Sequence, residues 1–598
     1  FGQHFLTAWD NYRLYLLDGK CVGIAGISEE EALVDNTYIK SVEEGTLTFL
    51  SGGAEYEIPV DVSEKGVTEG VADLVFSDGK LQIVRKKEQE IGGKLLSYDE
   101  SAIEIEGYGR ISHTGKIPVY ELLDGKTVTE SSISKVVLGN MEVSYVIGEE
   151  EVCAILIRTP AVIENIRVLL LADDGGKFRS AVYLKADTDA RIRFGGNESD
   201  YAAGTLLDVS TWFTECNDTF SIQPVTENGK IFLCDEVGNT ISNGYPGSAE
   251  VRRYEEGYTV VNSVPFETYL TAVVPSEMPS TYEKEALKAQ AVCARSYAYI
   301  QLMRADLAAF GAHINDSTSY QVYNKVEAGE ASRQAVEETK HEVMTYADEV
   351  IEAYYFSTSM GYTDTAEVWN PEEMDHYGYL KKVCLNTPET DLDLSDEKTF
   401  SDYIRTRQTG FDSEIKYYRW TAQADFHGKE DEIRQILENR HSISPRNVIY
   451  YESDGKNETD SMADFGMLEG IEVEKRSTSG SILTLRLSYE HGMVKVFSEY
   501  NIRKVMGLGV TNITYQDGSE SAEVTILPSA FASLVNEADE TYTLYGGGYG
   551  HGLGMSQNGA NGLAKTGMNY QDILHFFYKD VSITSLTEKS EFANQDDE

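Results

Sequence analysis

Residues 273–304 read VVPSEMPSTYEKEALKAQAVCARSYAYIQLMR, and the chain changes character inside them. From Ser280 to Arg304 there is neither Gly nor Pro, and strong helix formers dominate. Ser280 followed three positions on by Glu283 has the form of a capping box, which predicts a long helix starting right after Pro279. Upstream the pattern is that of strands, and strands resume further on. The fold class expected is therefore α+β, with strands on either side of the helix. At the threshold of that helix stands a lone carboxylate, Glu277, between Pro275 and Pro279.

Working outward, residues 1–155 alternate apolar and polar positions between Gly and Asp turns, as in TYIKSVEEGTLTFLSGG (37–53), ADLVFSDGKLQIV (72–84) and VYELLDGKTV (119–128). A period of two with this punctuation predicts a β-rich accessory domain or two, with no catalytic cluster in it. A second β-rich stretch, about 160–272, includes NIRVLLLADDGG (165–176) and runs through GYTVVNSVPFETYL (257–270) up to Glu277. Beyond the long helix come a loop with DSTSYQVYN (316–324), a helical stretch around ASRQAVEETKHEV (331–343) and a strand-like run, IEAYYFSTS (351–359). An acidic, mixed segment at 385–480 holds a helical piece near KEDEIRQILENR (429–440), and strands resume at SILTLRLSY (481–489). A Gly-rich turn then leads into small-residue helices. The division expected is 1–155 accessory, 156–585 catalytic, and 586–598 a solvated tail.

The chain of 598 residues is too long for one ordinary core. Its 99 Asp plus Glu against 51 Lys plus Arg leave a formal charge of -48, which repels phosphate backbones and argues against a nucleic-acid partner. No apolar run approaches the roughly 20 residues that a membrane-spanning helix needs. The chain opens at FGQHFLTAW without Met, consistent with removal of an upstream signal or anchor. Six widely spaced cysteines form no C-x-x-C pair, which excludes a zinc ribbon; a Cys216–Cys234 disulfide is left open.

Three constellations offer chemistry. Glu277 has three readings: it stabilises a helix N-terminus, it faces solvent, or it is a general acid whose carboxyl is desolvated by Val273, Val274, Pro275, Met278 and Pro279. On the helix that follows, Lys284, Lys288 and Arg295 share a stripe. Lys284 reads as solvated, whereas Arg295, among small and aromatic residues, reads as paired. In GGGYGHGLGMSQNGA (546–560) the glycines clear space around His551, which is either a turn histidine or a sugar-side donor. The absence of G-K-[ST] excludes a Walker loop, and no H-E-x-x-H or G-x-S-x-G occurs. Third, SYQVY (319–323) and FSTSMGYT (356–363) are dense in hydroxyls, amides and tyrosines, which suit sugar faces as well as strands.

The ordered set VPFETYLTAVVPSEMPSTYEKEALKAQAVCARSYAY, DSTSYQVY, YFSTSMGYT and GYGHGLGMSQNGANGLAKTG resembles the stage II sporulation protein D (SpoIID) and amidase-enhancer family, over about residues 160–585. The resemblance implies a lytic transglycosylase acting on peptidoglycan glycan strands stripped of stem peptides. The family's catalytic glutamate, in E-M-P, maps onto Glu277. It further implies Lys288 and Arg295 around the carboxyl, and Gln321, Tyr323, Ser359, His551, Ser556 and Gln557 around the sugar. Some members bind zinc through nearby Cys and His, but no such cluster follows the helix here, so no metal or cofactor is expected. A cell-wall amidase is a possible partner, and the place of action is extracytoplasmic. The alternative is a non-catalytic enhancer that binds glycan or the amidase. Two departures stand out: Met360-Gly361 where members often have Gly-Gly, and Asn558 where they have Tyr. The first is expected to narrow the groove and the second to remove a stacking face.

Overall fold

A computed structural model describes residues 12–17, 20–27, 32–43, 45–60, 67–77, 80–123, 125, 127–214, 218–369, 376–452, 455–522, 524–538 and 541–586. The expected tail beyond Leu586 and Cys216 lie outside the described residues; Cys234 is a buried free thiol. The chain divides into two compact units, one running to Val273 and including Tyr299–Glu327, the other built from Val274–Ala298 and Ala328–Leu586.

The first unit is β-rich, as the alternation predicts. An antiparallel five-stranded sheet is ordered Ala54–Pro59, Thr46–Ser51, Ala32–Glu43, Gly70–Ser77, Lys80–Lys86. In Thr46–Ser51 the buried Leu47 and Phe49 alternate with half-buried threonines, the period-two signature of a sheet with one covered face. Two seven-stranded sheets follow. In the second, Asn165–Leu169 pairs antiparallel with Gly257–Pro265 and parallel with Ile314–Asn315.

A buried chain of charges ties the early strands of this unit to the later ones. Arg167 grips Glu250 through both terminal nitrogens (2.9 and 2.5 Å), Arg252 donates to Glu250 (2.7 Å) and to Glu104 (2.8 Å), and Ser97 also donates to Glu104 (2.8 Å). Burial alone would push both carboxyls up; Arg167 and Arg252 outweigh it at Glu250, holding it at about 2, and Arg252 outweighs it at Glu104, which lies below the usual carboxylate range.

Helices α1 (Phe266–Glu277) and α2 (Lys284–Arg304) each contribute residues to both units. The second unit also contains α3 (Glu330–Glu338), α4 (Glu397–Ile404), α5 (Glu430–Ile443), α6 (Glu499–Gly509), α7 (Gln557–Lys565) and α8 (Tyr570–Phe577). Two five-stranded sheets, centred on Trp420–Asp425 and on Gly492–Phe497, share one core with α5 and α6, where Ile433, Leu437, Ile502, Val505 and Met506 pack against Ala422, Leu485 and Val496. These elements give the acidic stretch at 385–480 and its surroundings a folded core of their own. The run expected as a strand at 351–359 is strand only at Tyr355–Phe356, paired in parallel with Met555–Ser556.

Two sequence readings around Glu277 are corrected. VPFETYLTAVV, read as the end of a β-rich stretch, is helical from Phe266. Tyr269, Leu270, Val273 and Val274 recur at helical spacing and are all fully buried, so packing overrides the strand preference of β-branched and aromatic residues. The long helix starts at Lys284, after a turn in which the Tyr282 N–H donates to the Pro279 carbonyl (3.0 Å). Glu283, not Ser280, takes the capping position: its carbonyl accepts from Ala286 (2.9 Å) and Leu287 (3.1 Å). Asn561 of α7 accepts the Glu283 N–H (2.9 Å), so a tertiary partner takes over the role of the capping box.

Candidate active site

Glu277 is the last residue of α1, not the entrance of a helix. The reading in which it stabilises a helix N-terminus is thereby removed, since a helix C-terminus presents carbonyls and the negative end of the dipole. The residue is half-buried, while Val273, Val274 and Met278 around it are fully buried. Its main chain is held from α7, where the Gln557 Nε2 donates to the Glu277 carbonyl (3.1 Å) and to Oε1 of Gln290 (3.4 Å).

Helix α7 also packs tightly against the segment that carries Asp412. A Cβ at Gly562 would collide with the Phe411 carbonyl. Ser556 caps the helix, its Oγ accepting from the Gly559 N–H (3.0 Å) and donating to Oδ2 of Asp412 (2.8 Å). Ser359 turns to the same carboxylate through its N–H (2.8 Å) and its hydroxyl (3.0 Å). Burial pushes Asp412 above the usual carboxylate range.

The Gly-rich turn packs just as tightly. Gly550 has φ +113°, and a Cβ there would sit 2.8 Å from Cβ of Phe356. His551 is half-buried; its Nε2 donates to the Tyr355 carbonyl (2.9 Å) and its Nδ1 accepts from the Leu553 N–H (3.1 Å), the tautomer those partners require. Burial beside Trp369, Phe356 and Tyr354 pushes it down to about 4, so it is neutral at physiological pH. Close by, Asp364 is fully buried, bonded by the Thr365 N–H (2.9 Å) and the Ser477 hydroxyl (2.8 Å), and its own N–H donates to the Gly552 carbonyl (2.8 Å).

On α2, Arg295 is fully buried and donates to the carbonyls of Glu342 (3.0 Å) and Val336 (3.3 Å). Lys288 lies 3.4 Å from Glu285 and 3.7 Å from Glu338, with its ammonium 4.2 Å over the Tyr570 ring. Gln321 and Tyr323 belong to the first unit, both fully buried. Gln321 accepts from the Tyr269 hydroxyl (3.0 Å) and Tyr323 donates to Asn262 (2.8 Å).

Thus Gln557 meets Glu277, and Ser359 and Ser556 meet on Asp412. The sequence reading passed over Gln290, Asp364 and Asp412, each isolated among ordinary residues with no motif to mark it. It also misjudged Met360, which narrows no groove: it is fully buried in a cluster with Tyr362, Phe400, Tyr403 and Phe531. Asn558 is buried as well, accepting from the Tyr282 hydroxyl and donating to the Ser357 carbonyl (2.9 Å) and the Thr358 hydroxyl (3.0 Å). These contacts tie α7 to Tyr282, Ser357 and Thr358.

Residues 254–346, which include Glu277, α2 and the Gln321 loop, match the family model described as Stage II sporulation protein. Over this stretch the chain is similar to the SpoIID family. Residues 363–554, with Asp364, Asp412 and most of the glycine run, match a domain of unknown function. Among related proteins, the chain is 27% identical over 323 residues to the amidase enhancer of Bacillus subtilis (strain 168), covering 53% of this chain and 40% of that protein's length. It is 25% identical over 363 residues to stage II sporulation protein D of the same organism (57% of this chain, 80% of the relative). With stage II sporulation protein D of Bacillus amyloliquefaciens it shares 28% over 343 residues (54% and 75%).

Proposed function

We propose that the protein is a peptidoglycan lytic transglycosylase that cuts glycan strands, preferentially those stripped of stem peptides, outside the cytoplasmic membrane, with Glu277 as both acid and base. The observation that supports this most is the seat of Glu277: a half-buried residue in a stretch whose apolar neighbours Val273, Val274 and Met278 are fully buried, its main chain pinned by Gln557, inside the segment similar to SpoIID.

One carboxyl suffices when the attacking group belongs to the substrate. Glu277 donates its proton to the glycosidic oxygen as the C1–O bond breaks. The resulting carboxylate takes the proton of the sugar's own C6 hydroxyl, whose oxygen closes on C1. The products are a new chain end and a 1,6-anhydro ring, and Glu277 returns protonated. Ordinary glycosidases, in which water or the enzyme attacks, need two carboxyls. In this reading Gln557 sets the acid in place while Arg295 and Lys288 fix the α2 side. Ser359, Ser556 and His551 shape the sugar-side wall from behind, their polar atoms already committed to protein partners. Gln321 and Tyr323 enter only through the resemblance, since Tyr269 and Asn262 occupy them.

A second reading, an enhancer that binds glycan or a cell-wall amidase without cutting, rests on the name of one relative. The two are separated by incubating the protein with peptide-free and peptide-bearing strands beside Glu277→Gln. Anhydro-ended products from the unaltered protein alone support the enzyme, and intact strands with binding retained support the enhancer.

A further inference from the structure

The domain of unknown function supplies a fully buried carboxylate, Asp412, at the foot of the helix that touches Glu277. Among the described residues no cation reaches it; its partners are one N–H and two hydroxyls, from Ser359 and Ser556. An unpaired buried carboxylate is costly, so its position needs a reason beyond stability. The hydrogen bonds lead in one direction. Asp412 fixes the Ser556 hydroxyl, Ser556 caps α7, Gln557 begins α7, and the Gln557 amide holds the Glu277 carbonyl and the Gln290 oxygen. At the far end the Gln290 amide nitrogen is buried without a hydrogen-bond partner among the described residues, while the Gln290 oxygen accepts from Gln557.

We propose that Asp412 is a positioning residue: through Ser556 and Gln557 it sets the main chain that carries Glu277, so that the appended domain controls the alignment of the acid. The proposal rests on the transglycosylase reading for its consequence in turnover, but not for its structural content.

Two substitutions separate alignment from bulk stability. In Asp412→Asn the amide oxygen accepts from Ser359 N–H and Ser556, and its NH2 faces the Ser359 hydroxyl, which accepts it; alignment survives. Asp412→Leu keeps the branching and the number of heavy atoms and removes every acceptor. Misplacing a reacting group by about 1 Å costs on the order of a hundredfold. Asp412→Leu is therefore expected to lower kcat about a hundredfold with KM within about threefold, while Asp412→Asn stays within about threefold of the unaltered protein in both. Ser556→Ala lowers kcat in the same way, and adding it to Asp412→Leu costs little more, because both act through one chain.

Hydrogen exchange in the full chain reads the same alignment without any substrate: the Met278 and Tyr282 amides, bonded to Val274 (2.9 Å) and Pro279 (3.0 Å), lose protection in Asp412→Leu and keep it in Asp412→Asn. If the unaltered protein turns over no glycan, the transglycosylase reading fails and the exchange arm still decides the positioning. Unchanged protection in Asp412→Leu, or additive losses in the double variant, would overturn the proposal.

Discussion

Asp364→Asn should make the protein more stable at neutral pH, and the size of the gain follows from the site. Asp364 is fully buried, and burial raises it from 3.8 to about 6 despite the hydrogen bonds from Thr365 and Ser477. In the unfolded chain the same carboxyl ionises near pH 4. Between about pH 4 and about pH 6 the native state therefore holds a proton that the unfolded state has released, and stability falls as pH rises through that window. A shift of about two units at 1.36 kcal/mol each amounts to about 3 kcal/mol, fully expressed above about pH 7. Asparagine keeps the shape and never ionises. Urea denaturation of both proteins across this range isolates the term. The stability of Asp364→Asn minus that of the unaltered protein should rise by about 3 kcal/mol between pH 3.5 and pH 7.5. Taking the difference at both ends cancels any local effect of the amide. A flat difference, or one that falls with pH, would refute the raised ionisation of Asp364 next to the glycine turn.

Arg252→Met leaves Glu104 and Glu250 buried with one guanidinium fewer, and should cost the first unit about 3–5 kcal/mol in denaturant unfolding; replacing Glu104 by Leu as well should recover part of that loss, since an apolar pair replaces a broken ion pair without an orphan charge. Gly562→Ala drives a methyl group into the Phe411 carbonyl, and should lower stability by about 1–3 kcal/mol and lower glycan turnover with it, because α7 must shift away from Phe411 and carries Gln557 with it.

Much of this was legible in the residues. The period-two runs of the first unit and the uninterrupted helix formers of α2 follow local rules, and local rules were enough. The α+β class and the position of Glu277 ahead of α2 came from them. What the sequence hid depends on contacts far apart in the chain. Helix α1 looks like a strand because Tyr269, Val273 and Val274 favour strands, and only burial on one helical face reverses that. The start of α2 moved to Lys284 because Asn561, 278 positions from Glu283, accepts its N–H. Asp412, 53 residues from Ser359 and 144 from Ser556, carries no local signal of any kind. Met360 was judged against the Gly-Gly that the resembling family often has there, and its neighbours in space are a core.

The account stands on Glu277 as a proton donor and acceptor, and the direct test is mass spectrometry of the products from purified, peptide-free glycan strands. General acid and base assistance of this kind is worth on the order of 10² to 10⁴ in rate. The unaltered protein should release fragments ending in 1,6-anhydro-muramic acid. Glu277→Gln, equally folded and equally able to bind strands, should release fewer by at least about a hundredfold. Anhydro ends appearing at the same rate from Glu277→Gln, or hydrated ends from the unaltered protein, would contradict it.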